Sequence, residues 1–203
     1  MTKIKLCGLS RREDIEAANL LMPDYIGFVF AKGSRRYVDR ERARELKKLL
    51  SPRIKAVGVF VDEDPKEVLR YVRDGIIDII QFHGNEGEDC IRMLRDHTDN
   101  PVIRAFVISK KEDIRRAEES IADYILIDAG RGDGRPFDRS LLNGIEREYF
   151  LAGGLGIDDV GEAVKRYHPY AVDVSSGIET DKVKDPEKMK AFVEAVRREN
   201  ING

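Results

Sequence analysis

Residues 54–84 read IKAVGVFVDEDPKEVLRYVRDGIIDIIQFHG. Two apolar, β-branched runs, IKAVGVFV (54–61) and IDIIQFH (77–83), flank a stretch that opens on Asp64-Pro65. An aspartate before a proline is a helix start: the carboxylate caps, and the proline sits where its missing N–H costs nothing. Strand, helix, strand at this spacing is a βα unit feeding a parallel neighbour. The same unit recurs outward in both directions. Similar runs are KIKLC (3–7), YIGFVF (25–30), VIRAFVI (102–108), YILID (124–128), YFLAG (149–153) and AVDVSS (171–176).

Helix signals fill the intervals. Ser10-x-x-Glu13 and Ser109-x-x-Glu112 have capping-box spacing. Asp185-Pro186 repeats the Asp64-Pro65 start, Asp39 and Asn85 are further N-cap candidates, and His168-Pro169 ends a helix begun near Asp158. Eight strands alternating with helices make a parallel sheet covered by helices, and eight is the number that closes a (β/α)₈ barrel. The expected architecture is an α/β TIM barrel with short loops, one domain over residues 1–203. An open doubly wound sheet is the alternative. No G-x-G-x-x-G follows the first strand; GRGDG at 130–134 follows the sixth instead.

Composition narrows the function classes. Charged residues make up 36% of the chain, against an average of about 25%, and many lie in mixed-sign helical runs such as DRERARELKK. Such runs read as solvated faces with i,i+4 pairs. The net charge of −2 recruits neither nucleic acid nor an acidic membrane. Two cysteines, Cys7 and Cys90, form no disulfide framework. The first residues contain no apolar signal core, and no run reaches the length of a membrane span. The expectation is a soluble cytoplasmic protein acting on a small molecule.

In a barrel the active site lies at the C-terminal ends of the strands. Those ends carry a thiol (Cys7), an imidazole (His83), a carboxylate (Asp128) and two small-residue clusters, Gly153-Gly154 and Ser175-Ser176-Gly177. Cys90, in EDCIRML, is read as core. A thiol at the rim is a usable base if its surroundings lower its pKa. Asp128 precedes a glycine-rich loop, AGRGDGRPFD, long enough to close as a lid, and a carboxyl kept dry is a proton donor. The clusters after the seventh and eighth strands stand where barrels hold phosphate on backbone N–H groups. Arg36, in the loop after the second strand, suits a carboxylate or phosphate. His83 is a substrate-binding candidate. Lys3, Lys5 and Cys7 share one face by period two. A buried Lys5 needs a partner, and Asp173, on the strand that meets the first when the barrel closes, is the expected one.

These residues resemble a known family. K-x-C-G-L at the start, GFVF-x-x-x-S-R-R-Y at 27–37, VGVFV at 57–61, QFHG at 81–84, LID with a GxG loop and FD at 126–138, LAGGL at 151–155 and AVDVSSGIE at 171–179 are similar, in order, to phosphoribosylanthranilate isomerases. The resemblance implies an Amadori rearrangement in tryptophan biosynthesis, with no cofactor and no metal. It implies Cys7 as general base and Asp128 as general acid. It puts Arg36 on the anthranilate side, Asp173 by the substrate's amine, and the phosphate on Gly153, Gly154, Ser175, Ser176 and Gly177. The partner is then a phosphorylated small molecule, with no nucleic acid or membrane, and the chain is a monomer or a homodimer. Arg139 stands where the family often has a tryptophan after FD, and the chain has no Trp. A histidine-pathway aldosylamine isomerase is the nearest rival, but it would place an aspartate where this chain has Cys7. A binding module without catalysis has no use for both Cys7 and Asp128.

Overall fold

In a computed structural model, which describes residues 1–128, 139–142 and 145–202, eight parallel strands close into a barrel in chain order. They are β1 (Lys3–Cys7), β2 (Tyr25–Val29), β3 (Lys55–Phe60), β4 (Ile79–Phe82), β5 (Val102–Val107), β6 (Tyr124–Asp128), β7 (Tyr149–Ala152) and β8 (Ala171–Val174). The helices are α1 (Arg12–Leu21), α2 (Arg40–Leu49), α3 (Pro65–Arg73), α4 (Glu88–Arg95), α5 (Lys111–Glu118), α6 (Ile157–Tyr167) and α7 (Pro186–Asn202). After β6 the described residues hold a 3₁₀ turn, Arg139–Leu142, in place of a long helix. A short hairpin, β9 (Glu179–Thr180) with β10 (Val183–Lys184), stands between β8 and α7.

Period two sorts the strand residues. Ile4, Leu6, Ile26 and Phe28 face outward into the layer between sheet and helices. Tyr25, Val57, Ile79, Ile103, Leu126, Phe150 and Ala171 fill the barrel's interior. Above them sits a smaller cluster of Cys7, Val29 and Val59. At the floor, Lys3 Nζ donates to Tyr170 Oη at 2.6 Å. Closure of β1 on β8 sets Lys5 directly opposite Asp173.

Caps explain where the helices begin. Asp39, Asp64 and Asp185 accept backbone N–H bonds at the starts of α2, α3 and α7, from Arg42, Lys66 and Glu187 respectively. The two capping boxes begin one residue later than the spacing predicts. Asp14, not Glu13, accepts from Ser10 and Arg11, and Asp113, not Glu112, accepts from Ser109 and Lys110. The shorter aspartate reaches back to both amides at once. Asn85 does not cap α4, whose N-cap is Gly87; the backbone N–H of Asn85 donates to Asp62 Oδ1 at 2.7 Å. His168 ends α6 in the left-handed region, at φ +43°. Cys90 is half-buried against the main core.

Candidate active site

A cavity of about 400 Å³ opens at the C-terminal end of the barrel. Each strand end supplies a different chemistry. From β1 comes Cys7; from the loop after β2, Arg36; from β4 and the residue beyond it, Gln81 and His83. Asp128 comes from β6, Gly153-Gly154 from beyond β7, and Asp173, Ser175 and Ser176 from β8 and its loop. Val29 and Val59 give the wall an apolar stripe. A wider cleft of about 900 Å³ lies around Met1, Arg147, Tyr170 and Asn200, at the opposite end of the barrel. The C-terminal rim is the end where barrel strands present reactive groups.

Cys7 is buried, and the space for its sulfur comes from β2. Gly27 is its cross-strand partner, and a Cβ there would lie 2.7 Å from Sγ. Gly8 serves something else. The sequence suggests that it leaves room for a ligand beside the sulfur, but a Cβ at Gly8 would lie 2.4 Å from Arg36 Cδ. With φ at +78°, Gly8 makes room for the arginine's stem.

Charge surrounds the thiol. Lys5 is fully buried, and its Nζ donates to Asp173 Oδ2 at 2.7 Å, as the two-residue period and barrel closure require. Burial works against the ammonium, but Asp173 and Cys7 more than offset it and hold Lys5 above the usual lysine range. Burial pushes the Cys7 thiol up; Lys5 and Lys184 pull it down, and Asp173 adds to the rise. The net direction is upward, so the surroundings do not lower the thiol as a ready base needs. The second oxygen of Asp173, Oδ1, is buried with no hydrogen-bond partner among the described residues.

On the other side, His83 Nε2 lies 3.2 Å from Asp128 Oδ2, and Gln81 Nε2 lies 3.1 Å from His83 Nδ1. With the Gln81 amide donating, Nδ1 accepts and Nε2–H points at the carboxylate. Gln81 is buried, and its Oε1 is the other buried acceptor at this cavity without a partner among the described residues. The segment read as a lid over Asp128, 129–138, lies outside the described residues.

The two small-residue clusters meet. Gly153 and Gly154 adopt φ of +90° and +70°, a conformation that favours glycine. Ser175 and Ser176 reach the cavity wall beside them. Gly177 is the contact between the loops: a Cβ there would stand 2.2 Å from the Leu155 carbonyl oxygen. Ser175 Oγ donates to the Cys7 carbonyl at 3.2 Å, tying the β8 loop to β1.

Sequence reasoning missed three contributors. Gln81 is polar in an apolar run, a visible signal. Gly27 is a glycine in mid-strand, a sign of close approach. Lys184 lies in the hairpin after β8, and only the folded chain shows its ammonium buried against Ser175 O at 2.7 Å and Glu179 Oε1 at 2.8 Å. Among the described residues no three His, Cys, Asp or Glu side chains gather as metal ligands.

The chain as a whole is similar to known proteins. Residues 4–195 match the family model for N-(5′-phosphoribosyl)anthranilate (PRA) isomerase. A Thermoanaerobacter sp. (strain X514) protein of that name is 44% identical over 204 positions, covering 97% of this chain and 98% of the relative. The phosphoribosyl anthranilate isomerase structure from Thermotoga maritima superposes with a TM-score of 0.88 at 32% identity, covering 98% and 100% of the two chains. A phosphoribosyl anthranilate isomerase solved with reduced 1-(o-carboxyphenylamino)-1-deoxyribulose 5-phosphate gives 0.86 at 33%, with the same coverage.

Proposed function

Because this chain belongs to the N-(5′-phosphoribosyl)anthranilate isomerase family, we propose that Cys7 is its general base and Asp128 its general acid. The enzyme isomerises N-(5′-phosphoribosyl)anthranilate, an aldosylamine, to the 1-deoxyribulose 5-phosphate derivative, a step of tryptophan biosynthesis. The observation that carries the assignment is that one cavity joins Cys7, Asp128, Arg36, Asp173 and both small-residue loops.

Asp128 gives its proton to the furanose ring oxygen, and the C1′–O bond breaks. The nitrogen lone pair forms a cationic Schiff base at C1′, which acidifies the C2′ hydrogen. Cys7 takes that proton as a thiolate, leaving an enolamine. Sulfur returns the proton to C1′, and the 2′-hydroxyl releases its own as the ketone forms, which restores the acid. Acid and base each contribute roughly 10²–10⁴-fold. Because burial holds the Cys7 thiol up, the base is activated by charge. Lys5 and Lys184 are the standing cations, and the Schiff base adds a third as it forms. Asp173 Oδ1, buried and unpartnered among the described residues, is an acceptor for the substrate's amine N–H. His83 orients the Asp128 carboxyl and faces the same ligand. Gly153, Gly154, Ser175, Ser176 and Gly177 take the phosphate, whose binding away from the reacting bond supplies positioning. Arg36 takes the anthranilate carboxylate.

The same proposal treats residues 1–203 as one barrel domain working in the cytoplasm as a monomer or homodimer. No helix among the described residues is long and apolar enough to cross a membrane. The test is rescue of a tryptophan auxotroph lacking this isomerase, with steady-state kinetics alongside. The wild-type chain restores growth. Cys7→Ala and Asp128→Asn each lower kcat by at least ~100-fold with KM little changed. Near wild-type kcat in either variant removes that residue from its role.

A further inference from the structure

The hairpin after β8 gives the acid–base scheme only Lys184, yet it also holds a carboxylate, Glu179, that accepts from three cations. Glu179 Oε1 accepts from Arg36 Nε at 2.7 Å and from Lys184 Nζ at 2.8 Å. Its Oε2 accepts from Arg35 Nη2 at 2.5 Å and from Arg36 Nη2 at 3.2 Å. The Glu179 side chain is only 5% exposed. Burial opposes the charge, but these donors bring its pKa down to about 2.

The hairpin is built for this contact. Glu179 and Lys184 are cross-strand partners. The two residues of the turn, Asp181 and Lys182, both take positive φ, +51° and +67°, without being glycine. That tight turn sets the two charges face to face.

We infer that Glu179 is a specificity-determining positioning residue: it occupies the Nε–Nη2 edge of Arg36 and turns the remaining Nη1 edge toward the cavity for an aryl carboxylate. Gly8 packs against the stem of Arg36 and Glu179 holds its head, so the fork is ordered before the ligand arrives. Ordering in advance removes an entropic cost from binding. Three cations share one carboxylate, so the cluster keeps net positive charge beside a site for an anion. The inference rests on Arg36 being the carboxylate contact of the proposed function.

The experiment measures competitive inhibition by two probes. One is reduced 1-(o-carboxyphenylamino)-1-deoxyribulose 5-phosphate, and the other is the same molecule without the ring carboxyl. The wild type prefers the first by on the order of 10–100-fold, the worth of a charge-assisted pair. Arg36→Met brings the ratio to within ~3-fold of unity. Glu179→Gln lowers the ratio at least ~5-fold, with KM rising more than kcat falls, and Glu179→Asp lowers it less because the charge stays. If Arg36→Met keeps the wild-type ratio, the carboxylate assignment of Arg36 is wrong. If Arg36→Met loses it and the folded Glu179 variants keep it, the positioning role is overturned. A chain that folds with neither substitution makes Glu179 a scaffold residue and overturns it equally.

Discussion

Replacing Lys5 with methionine removes a charge from the barrel's interior and keeps most of the stem's volume. Lys5 is fully buried, and its Nζ lies 2.7 Å from Asp173 Oδ2. At an effective dielectric of ~20, unit charges at that separation attract by about 6 kcal/mol. Much of that offsets the cost of taking both ions out of water. The single variant loses the attraction and keeps the cost, because Asp173 stays 8% exposed. We expect Lys5→Met to lose about 3–5 kcal/mol of stability. At this chain length that is a fall in Tm of roughly 6–20 °C. Asp173→Asn alone strands the ammonium and has a comparable effect. The double variant removes both charges and lies within ~2 kcal/mol of the wild type. The assay is urea unfolding of all four chains, with a common m-value as the check on two-state behaviour. A coupling of at least ~2 kcal/mol is expected. Additive effects, with coupling below ~0.5 kcal/mol, refute the reasoning. Kinetics give a second reading: kcat falls in Lys5→Met, since the cation that most strongly draws the Cys7 thiol down is gone.

Two further outcomes follow from the site. Gly27→Ala places a Cβ 2.7 Å from Cys7 Sγ, which costs about 1–3 kcal/mol of stability and displaces the sulfur. Steady-state kinetics are expected to show kcat lower by roughly 10–100-fold with a smaller change in KM, whereas an unchanged kcat shows that the sulfur's position tolerates the intrusion. Glu179 has a folded pKa near 2 against an ordinary 4.5, so the unfolded chain binds its proton first. Its stabilising contribution, at most about 3 kcal/mol, is complete above pH ~4.5 and is lost as pH falls toward 2. Urea titrations of the wild type and Glu179→Gln should therefore converge over that window, and a difference independent of pH contradicts the assignment.

The barrel was legible because its signal repeats. One βα unit is ambiguous, but eight at similar spacing leave little choice. The Lys5–Asp173 pair was legible for a related reason: period two puts Lys5 inside, and closure puts β8 beside β1. Cap positions were less legible, since Glu13 and Asp14 differ only in how far each carboxylate reaches back. The purposes of Gly8 and Gly27 were hidden because each depends on a side chain from another strand or loop. The direction of the Cys7 shift was not legible for the same kind of reason. Cations near the sulfur can be guessed from the chain, but the burial that outweighs them is a property of the packed barrel. Lys184 and Glu179 sit in what reads as a loop, and nothing in their spacing announces a hairpin.

Closure of β1 on β8 also sets a timetable. Asp173 is synthesised 168 residues after Lys5. At ordinary synthesis rates that interval is roughly 10–30 s. Throughout it Lys5 has no Asp173 to pair with. The surroundings of the base are therefore completed only by the last barrel strand and the hairpin after it. Backbone and side-chain bonds between Thr2 and Asn200, at 2.8 and 2.9 Å, fasten the ring shut afterward. A chain stalled before β8 carries Cys7 and Lys5 but neither Asp173 nor Lys184, so turnover in this molecule certifies that synthesis has run through the whole ring.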